Sequence, residues 1–263
     1  MQPVFAIALA AMHQDMERMD TVALNLANVS TPGYKREVAA VRPFTEAMDE
    51  AAVDTQDPSS LGSTVGPSAS LSQMLMMLDG RPGTIKSTGE PFDVALTGDG
   101  FFEVTTDDGP AYTRQGNFKV DPQGRLVSAQ GHAVMGKTGE IYLTTTTPAI
   151  DVSGNVTEPN AAQGVSLAAP GKPLAQLKIV HFDEGRQLHA LGNGLYAPGS
   201  GLTVMNDVDV HLRQGALENS NVDSMHEMVE MMQTMRHFES MQKVAQGYDE
   251  MTATAIHKLG DLS

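Results

Sequence analysis

The chain contains no cysteine and no tryptophan, and only 5% of its 263 residues are aromatic. Without cysteine there is neither a disulfide framework nor thiolate chemistry, and the compartment stays open. Cations are scarce as well: 17 Lys and Arg face 32 Asp and Glu, a formal net charge of −15. That balance argues against nucleic acid as a partner, since phosphate binding needs a basic patch. No apolar run approaches the roughly 20 residues of a membrane-spanning helix. The N-terminus has no charged leader segment, and His13, Gln14 and Asp15 interrupt its apolar stretch early. If the protein leaves the cytoplasm, it is expected to do so without a cleaved signal. Hydrophobic residues still make up 41% of the chain, enough for one large domain or two to three small ones.

What the chain does have is a helical stripe at each end. Phe5, Leu9, Met12, Met16, Met19, Ala23 and Leu26 follow one another in alternating steps of four and three, flanked by Gln14, Asp15, Glu17, Arg18 and Asp20. This a/d spacing makes a narrow apolar seam that wants a partner helix. Met225, Met228, Met232, Met235, Phe238, Met241, Ala245, Tyr248, Thr252, Ile256 and Leu259 trace a less regular stripe at the other end. Each end is the natural first partner of the other. Of 17 methionines, four lie in residues 1–19 and seven in residues 225–251. Part of this is core packing, but Met also adapts to non-identical neighbours, which suits helices that pack against other subunits.

The first helix is predicted over residues 3–28, with Pro3 in its first turn. Ser30-Thr31-Pro32-Gly33 ends it, because a residue before proline avoids the helical region and Gly33 accepts positive φ. Residues 45–88 read as an extended arm: acidic, then Pro/Ser/Gly-rich, with no Lys or Arg between Arg42 and Arg81. Its apolar segment Leu71–Leu78 wants cover, so the arm is expected to dock. Residues 89–213 are β-rich. Asp107-Asp108-Gly109 marks a hairpin between Phe101–Thr105 and Ala111–Arg114, and Asp121-Pro122-Gln123-Gly124 fits a type I turn. Glu140–Leu143, Ala149–Val152, Leu174–Phe182 and Gly194–Ala197 are further strand candidates. The last helix is predicted from about Val222 to Leu259 within the terminal segment 214–263, with Ser224 and Glu227 at capping-box spacing and Ser220 or Asn221 as alternative caps. The fold class is α+β: paired terminal helices forming a coiled-coil domain, with an antiparallel β-rich domain inserted between them.

Few residues invite catalysis. His226-Glu227-Met228-Val229-Glu230 looks like a zincin helix whose second His has become Glu. His and Glu four apart can share a metal, but no third ligand is fixed by the sequence, and a solvated polar face is the ordinary reading. Gly98-Asp99-Gly100 lacks the third glycine of a nucleotide loop and reads as a bend between strands. No cofactor or metal site, and no enzyme, is indicated.

Three further motifs carry a family resemblance. Asn25-Leu26-Ala27-Asn28-Val29-Ser30-Thr31-Pro32-Gly33-Tyr34-Lys35 resembles the N-terminal signature of bacterial flagellar axial proteins. Leu96-Thr97-Gly98-Asp99-Gly100-Phe101-Phe102-Glu103-Val104 and Tyr112-Thr113-Arg114-Gln115-Gly116-Asn117-Phe118 resemble the central segment shared by rod and hook proteins. Gly215-Ala216-Leu217-Glu218-Asn219-Ser220-Asn221-Val222 resembles their C-terminal signature. The chain length fits the mid-sized rod proteins, and Met235-Arg236-His237-Phe238-Glu239 is closer to the proximal than to the distal type. The resemblance implies a structural subunit of the basal-body rod in the periplasm. Residues 1–44 and 214–263 would form an inner helical layer, 45–88 an arm, and 89–213 an outer domain. It also implies export through the flagellar type III apparatus, and assembly with copies of itself and other rod subunits into a hollow, torque-transmitting shaft. Phe5, Leu9, Met12, Met16, Met19, Leu26, Met225, Met228, Met232, Met235, Phe238 and Met241 are then the expected assembly interface. Within the N-terminal signature, Gly33→Val is expected to be disruptive and Lys35→Ala mild.

Overall fold

The computed structural model describes residues 2–41, 74–144, 147–158, 173–182, 188–199 and 201–260. Most of the expected 45–88 arm therefore lies outside the described residues. The chain divides into two compact units, one comprising Met1–Ala27, Glu37–Met76 and Asp223–Ser263, the other Asn28–Arg36 and Met77–Val222.

In the first unit the helix α1 (Gln2–Ala27) packs along the helix α2 (Ser224–Gly260). The pair is antiparallel: Asn25 bonds Glu227 near one end, and Asp15 bonds His237 further along. α1 stops where proline and Gly33 follow, with turn bonds from the Thr31 amide to Asn28 O (3.1 Å) and from the Tyr34 amide to Thr31 O (3.3 Å). α2 starts on a cap that the sequence reading missed. Asp223 accepts from the Met225 amide (3.0 Å) and the His226 amide (3.4 Å), satisfying donors of the first turn. The cap is Asp223 in place of Ser224, Ser220 or Asn221, and the Glu227 side chain is fully buried, taking a bond from Asn25 of α1. Residues 214–222, assigned to the terminal helix segment, are strand and turn.

The second unit is antiparallel throughout. Its main sheet runs in the order Ala190–Gly192, Leu195–Tyr196, Gly109–Thr113, Phe101–Thr106, Ala133–Gly136, Leu126–Val127, Lys119–Val120. Ile179–Phe182 pairs with both Phe101–Thr106 and Leu202–Val204. The Asp107-Asp108 turn closes its hairpin with Thr106 opposite Gly109, as the sequence indicates. The Asp121 turn closes by the Gly124 amide bonding Asp121 O (3.0 Å), and the Asp121 carboxylate takes the Gln123 and Arg125 amides. Gly98 and Asp99 form a bend between strands. Alternation sends Phe102 and Val104 into the main core with Val94, Val134, Val156 and Ile179, while Phe101 packs on the other face against Phe182 and Tyr196. Ladders continue beyond 89–213: Ile85–Ser87 pairs with Ala216–Glu218, and Val94–Leu96 with Leu212–Gln214. Three-residue strands give too short an alternation to be read from sequence.

Candidate functional site

Residues 28–35 of the N-terminal signature meet the central and C-terminal signatures in the second unit. Gly33 has φ +68° and donates to Glu218 O at 2.7 Å; a Cβ there would lie 2.4 Å from the Arg114 carbonyl carbon and oxygen. The turn thus brings Lys35 onto Glu218: Nζ lies 2.7 Å from Oε1 and also donates to Arg81 O at 3.0 Å. The Gly83 amide gives Glu218 Oε1 a second bond (2.8 Å), and Arg114 Nε lies 3.5 Å from Oε2 with its guanidinium over the Phe101 ring. The side chains of Lys35, Arg114 and Glu218 are only 3%, 3% and 2% exposed. Burial pulls Lys35 and Arg114 below their ordinary pKa ranges, and the Glu218 charge opposes that pull on both. One carboxylate therefore holds two desolvated cations. Because Lys35 is buried in an ion pair, Lys35→Ala is now expected to be disruptive and not mild.

The neighbouring signature residues reinforce this cluster. Asn221 accepts from the Arg36 amide (2.7 Å) and donates to Asp79 O and Arg81 O. Gly116 lies so close to Val94 that a Cβ would fall 1.7 Å from its carbonyl oxygen. Thr113 donates to Gly194 O, Ser220 accepts from the Val222 amide, and Thr31 donates to Asn28. Tyr34, Tyr112 and Val222 are buried; Leu217 is partly buried in the strand paired with Ile85–Ser87; Ser30 is exposed.

In the first unit, Asn25 at the end of α1 makes a two-way bond with Glu37, its Oδ1 taking the Glu37 amide (2.9 Å) and its Nδ2 donating to Glu37 O (2.8 Å). It thereby pins the strand Glu37–Val41 that follows the turn. The sequence stripe of α1 then splits in two. Ala8, Asp15, Val22 and Asn25 are buried and Met12, Met19 and Leu26 partly so, whereas Leu9, Met16 and Ala23 are exposed; Phe5 is exposed at the helix end. On α2 the covered line is Glu227, Met231, Thr234, Phe238, Met241, Ala245 and Tyr248, while Met225, Met228, Met232 and Met235 are exposed. Arg236 and Glu239 are exposed too. The seam between the helices thus keeps Met12, Met19, Leu26, Phe238 and Met241 of the predicted stripe, replaces its other members by their neighbours, and contains polar residues.

One side of that seam is polar and closed. Gln14 and Arg18 gather there with Glu230, Gln233 and His237 around a cleft of about 420 Å³. Arg18 donates to Glu230 at 2.7 and 3.0 Å, and His237 bonds Asp15 at 2.6 Å. Each of these flanking residues immediately precedes a seam position on its own helix. In an antiparallel pair, such residues of both helices share one side, so those that follow seam positions share the other. Leu9, Met16, Ala23, Met228, Met232 and Met235 therefore fall on one side, interspersed with the polar His13, Asp20, Glu239 and Gln242 that also follow seam positions.

The metal reading finds no support in this geometry. His226 is 66% exposed, 3.9 Å from a Glu230 carboxylate that Arg18 already engages. Among the described residues no group of three metal-ligating side chains is assembled, and no helix is long and apolar enough to cross a membrane.

Residues 5–35 match the family described as flagella basal body rod protein, residues 95–172 the flagellar hook protein FlgE/F/G D1 domain, and residues 213–257 the flagellar basal body rod FlgEFG protein C-terminal family. The flagellar basal-body rod protein FlgG of Bacillus subtilis is 30% identical over 95% of this chain and 96% of its own length. FlgG of Buchnera aphidicola is 31% identical over the whole of both chains, and FlgF of Salmonella typhimurium 31% over 92% of each. The chain belongs to the flagellar basal-body rod protein family. This rod protein is accordingly a structural subunit and not an enzyme. What sequence reasoning missed in it is the partnership of its motifs: Lys35, Arg114 and Glu218 stand far apart along the chain, and only the fold joins them. Asp15 and Asn25 did leave a signal, as polar residues on the frame of Ala8 and Val22.

Proposed function

We propose that this rod subunit assembles through the apolar side of its terminal helix pair, against copies of itself and other rod subunits. Phe5, Leu9, Met12, Met16, Met19, Leu26, Met225, Met228, Met232, Met235, Phe238 and Met241 form the interface, some completing the pair as a coiled coil and the rest facing neighbours. What supports this reading is the run of large apolar side chains left exposed beside the seam, Leu9, Met16, Met228, Met232 and Met235, opposite the cluster in which Arg18 bonds Glu230 and His237 bonds Asp15. Such a patch marks an interaction site. Contacts of this kind that do not close generate filaments, in keeping with a hollow shaft that transmits torque from within the periplasm. Delivery is through the flagellar type III export apparatus.

Relatives named FlgG and FlgF match with similar identity. Met235-Arg236-His237-Phe238-Glu239 favours the proximal type of rod subunit, with the distal type as the second reading. The test is a Met16→Asp, Met232→Asp variant, scored by electron microscopy of isolated basal bodies. Rods should be absent while the exported subunit remains intact; rods of normal number and length would overturn the proposal.

A further inference from the structure

We infer that the methionines on the apolar side make assembly sensitive to oxidation, an inference that rests on that side being the assembly surface. The chain has no cysteine, so its thioethers are the only sulfur an oxidant meets. The helix methionines fall into two groups. Met16, Met225, Met228, Met232, Met235 and Met251 are 46–70% exposed, whereas Met12, Met19, Met231 and Met241 are partly covered in the seam. Five of the exposed six lie on the apolar side or continue it. At about 3.6 residues per turn Met251 falls well round α2 from the other four exposed methionines of that helix, which makes it an internal control.

The chemistry is oxygen transfer from a hydroperoxide. The thioether lone pair attacks the terminal peroxide oxygen, the O–O bond breaks, and that oxygen stays on sulfur as the sulfoxide. The remaining alkoxide or hydroxide takes a proton and leaves as alcohol or water; sulfur is oxidised and the peroxide reduced. The product replaces an apolar, adaptable group with a polar one on the surface that a neighbour must desolvate. Several such groups per subunit weaken each contact along the shaft. Once neighbours cover the face the thioethers are out of reach, so the sensitivity belongs to subunits not yet assembled. Sulfoxide reductases reverse the change.

Two measurements test this. Purified full-length subunit is treated with hydrogen peroxide and mapped by peptide mass spectrometry. Met16, Met225, Met228, Met232 and Met235 should oxidise about tenfold faster than Met12, Met19, Met231 and Met241; equal rates overturn the inference. In parallel, cells lacking sulfoxide reductases build new basal bodies under sublethal hydrogen peroxide. They carry either the natural chain or a variant with Met16→Leu, Met225→Leu, Met228→Leu, Met232→Leu and Met235→Leu. Rods should fall severalfold with the natural chain and far less with the leucine variant, while Met251→Leu alone gives no protection. Equal losses in the natural and leucine strains overturn the inference. If the untreated Met16→Asp, Met232→Asp strain still lacks rods, the assembly surface itself stands despite that loss. Normal rods in the aspartate strain would instead remove the surface, and the inference with it.

Discussion

Lys35→Met is the sharpest probe of the buried charged cluster, because it keeps most of the apolar stem and deletes only the cation. In the native chain Glu218 is served by Lys35 at 2.7 Å, the Gly83 amide at 2.8 Å and Arg114 at 3.5 Å. Removing Lys35 strips away the nearest charge and leaves a desolvated carboxylate facing a longer contact. Breaking one side of a buried ion pair costs about 3–5 kcal/mol. Arg114 remains as a partial partner, so the lower end, ~3 kcal/mol, is expected. In a unit of this size each kcal/mol moves the unfolding midpoint by about 2–4 °C, so the transition should fall by roughly 6–12 °C. Glu218→Gln should be worse still, since it strands two buried cations instead of one anion. Calorimetry on the purified subunit reads both. A Lys35→Met loss under ~1 kcal/mol, or a Glu218→Gln variant more stable than Lys35→Met, refutes the cluster as drawn.

Gly33→Val combines positive φ with a Cβ 2.4 Å from the Arg114 carbonyl; a loss of ~3 kcal/mol or more is expected, and a normal melting curve with normal rods would reduce the turn to a helix stop. Met16→Asp should leave the melting of the purified subunit within about 0.5 kcal/mol, because Met16 is already half exposed; a large drop would mean that Met16 packs inside the subunit. Burial raises the Glu37 pKa above its ordinary value. The folded form therefore holds that proton more tightly, and stability declines as pH rises from the unfolded pKa through the raised one. Glu37→Gln should accordingly be more stable than the natural chain at neutral pH and equal to it near pH ~4, and a variant equally stable at both pH values would contradict this. Hydrogen exchange on the free subunit should find residues 2–27 and 224–260 far less protected than the strands Phe101–Thr106 and Ala133–Gly136; uniform slow exchange would count against it.

Legibility tracked the range of the physics involved. The helix end at Pro32-Gly33 and the turns at Asp107 and Asp121 were readable because each is decided within a few residues by backbone sterics and local hydrogen bonds. The Asp223 cap was missed because Ser220, Asn221, Asp223 and Ser224 are all competent caps, and tertiary packing selects among them. Only part of the seam was legible, with Leu9, Met16, Ala23, Met228, Met232 and Met235 each one position off a covered residue, for a related reason. Apolar periodicity reports the most hydrophobic face of a helix, and here that face is the outer one. The Lys35–Glu218 pair was invisible because a charged residue in a turn is solvated by default, and only the Gly33 conformation folds this one inward.

Under the proposed assembly, the partial displacement of the seam lets a subunit remain separate and still join a shaft. A buried line holding Asp15, Asn25, Glu227 and Thr234 gains little from the hydrophobic effect and specifies alignment more than strength. Slipping the helices by one turn would part Asp15 from His237 and Asn25 from Glu227, leaving polar groups buried without their partners. The free pair is thus marginal but has one preferred register. In the proposed assembly, the exposed apolar side chains Leu9, Met16, Met228, Met232 and Met235 are the ones left for a neighbour. Exchanging the two sets, with leucine at Asp15 and Thr234 and serine at Met16 and Met232, should give a helix pair that is more stable alone and cannot build a rod. If such a chain still assembled, the register and strength of the shaft would have to come from the β-rich unit instead.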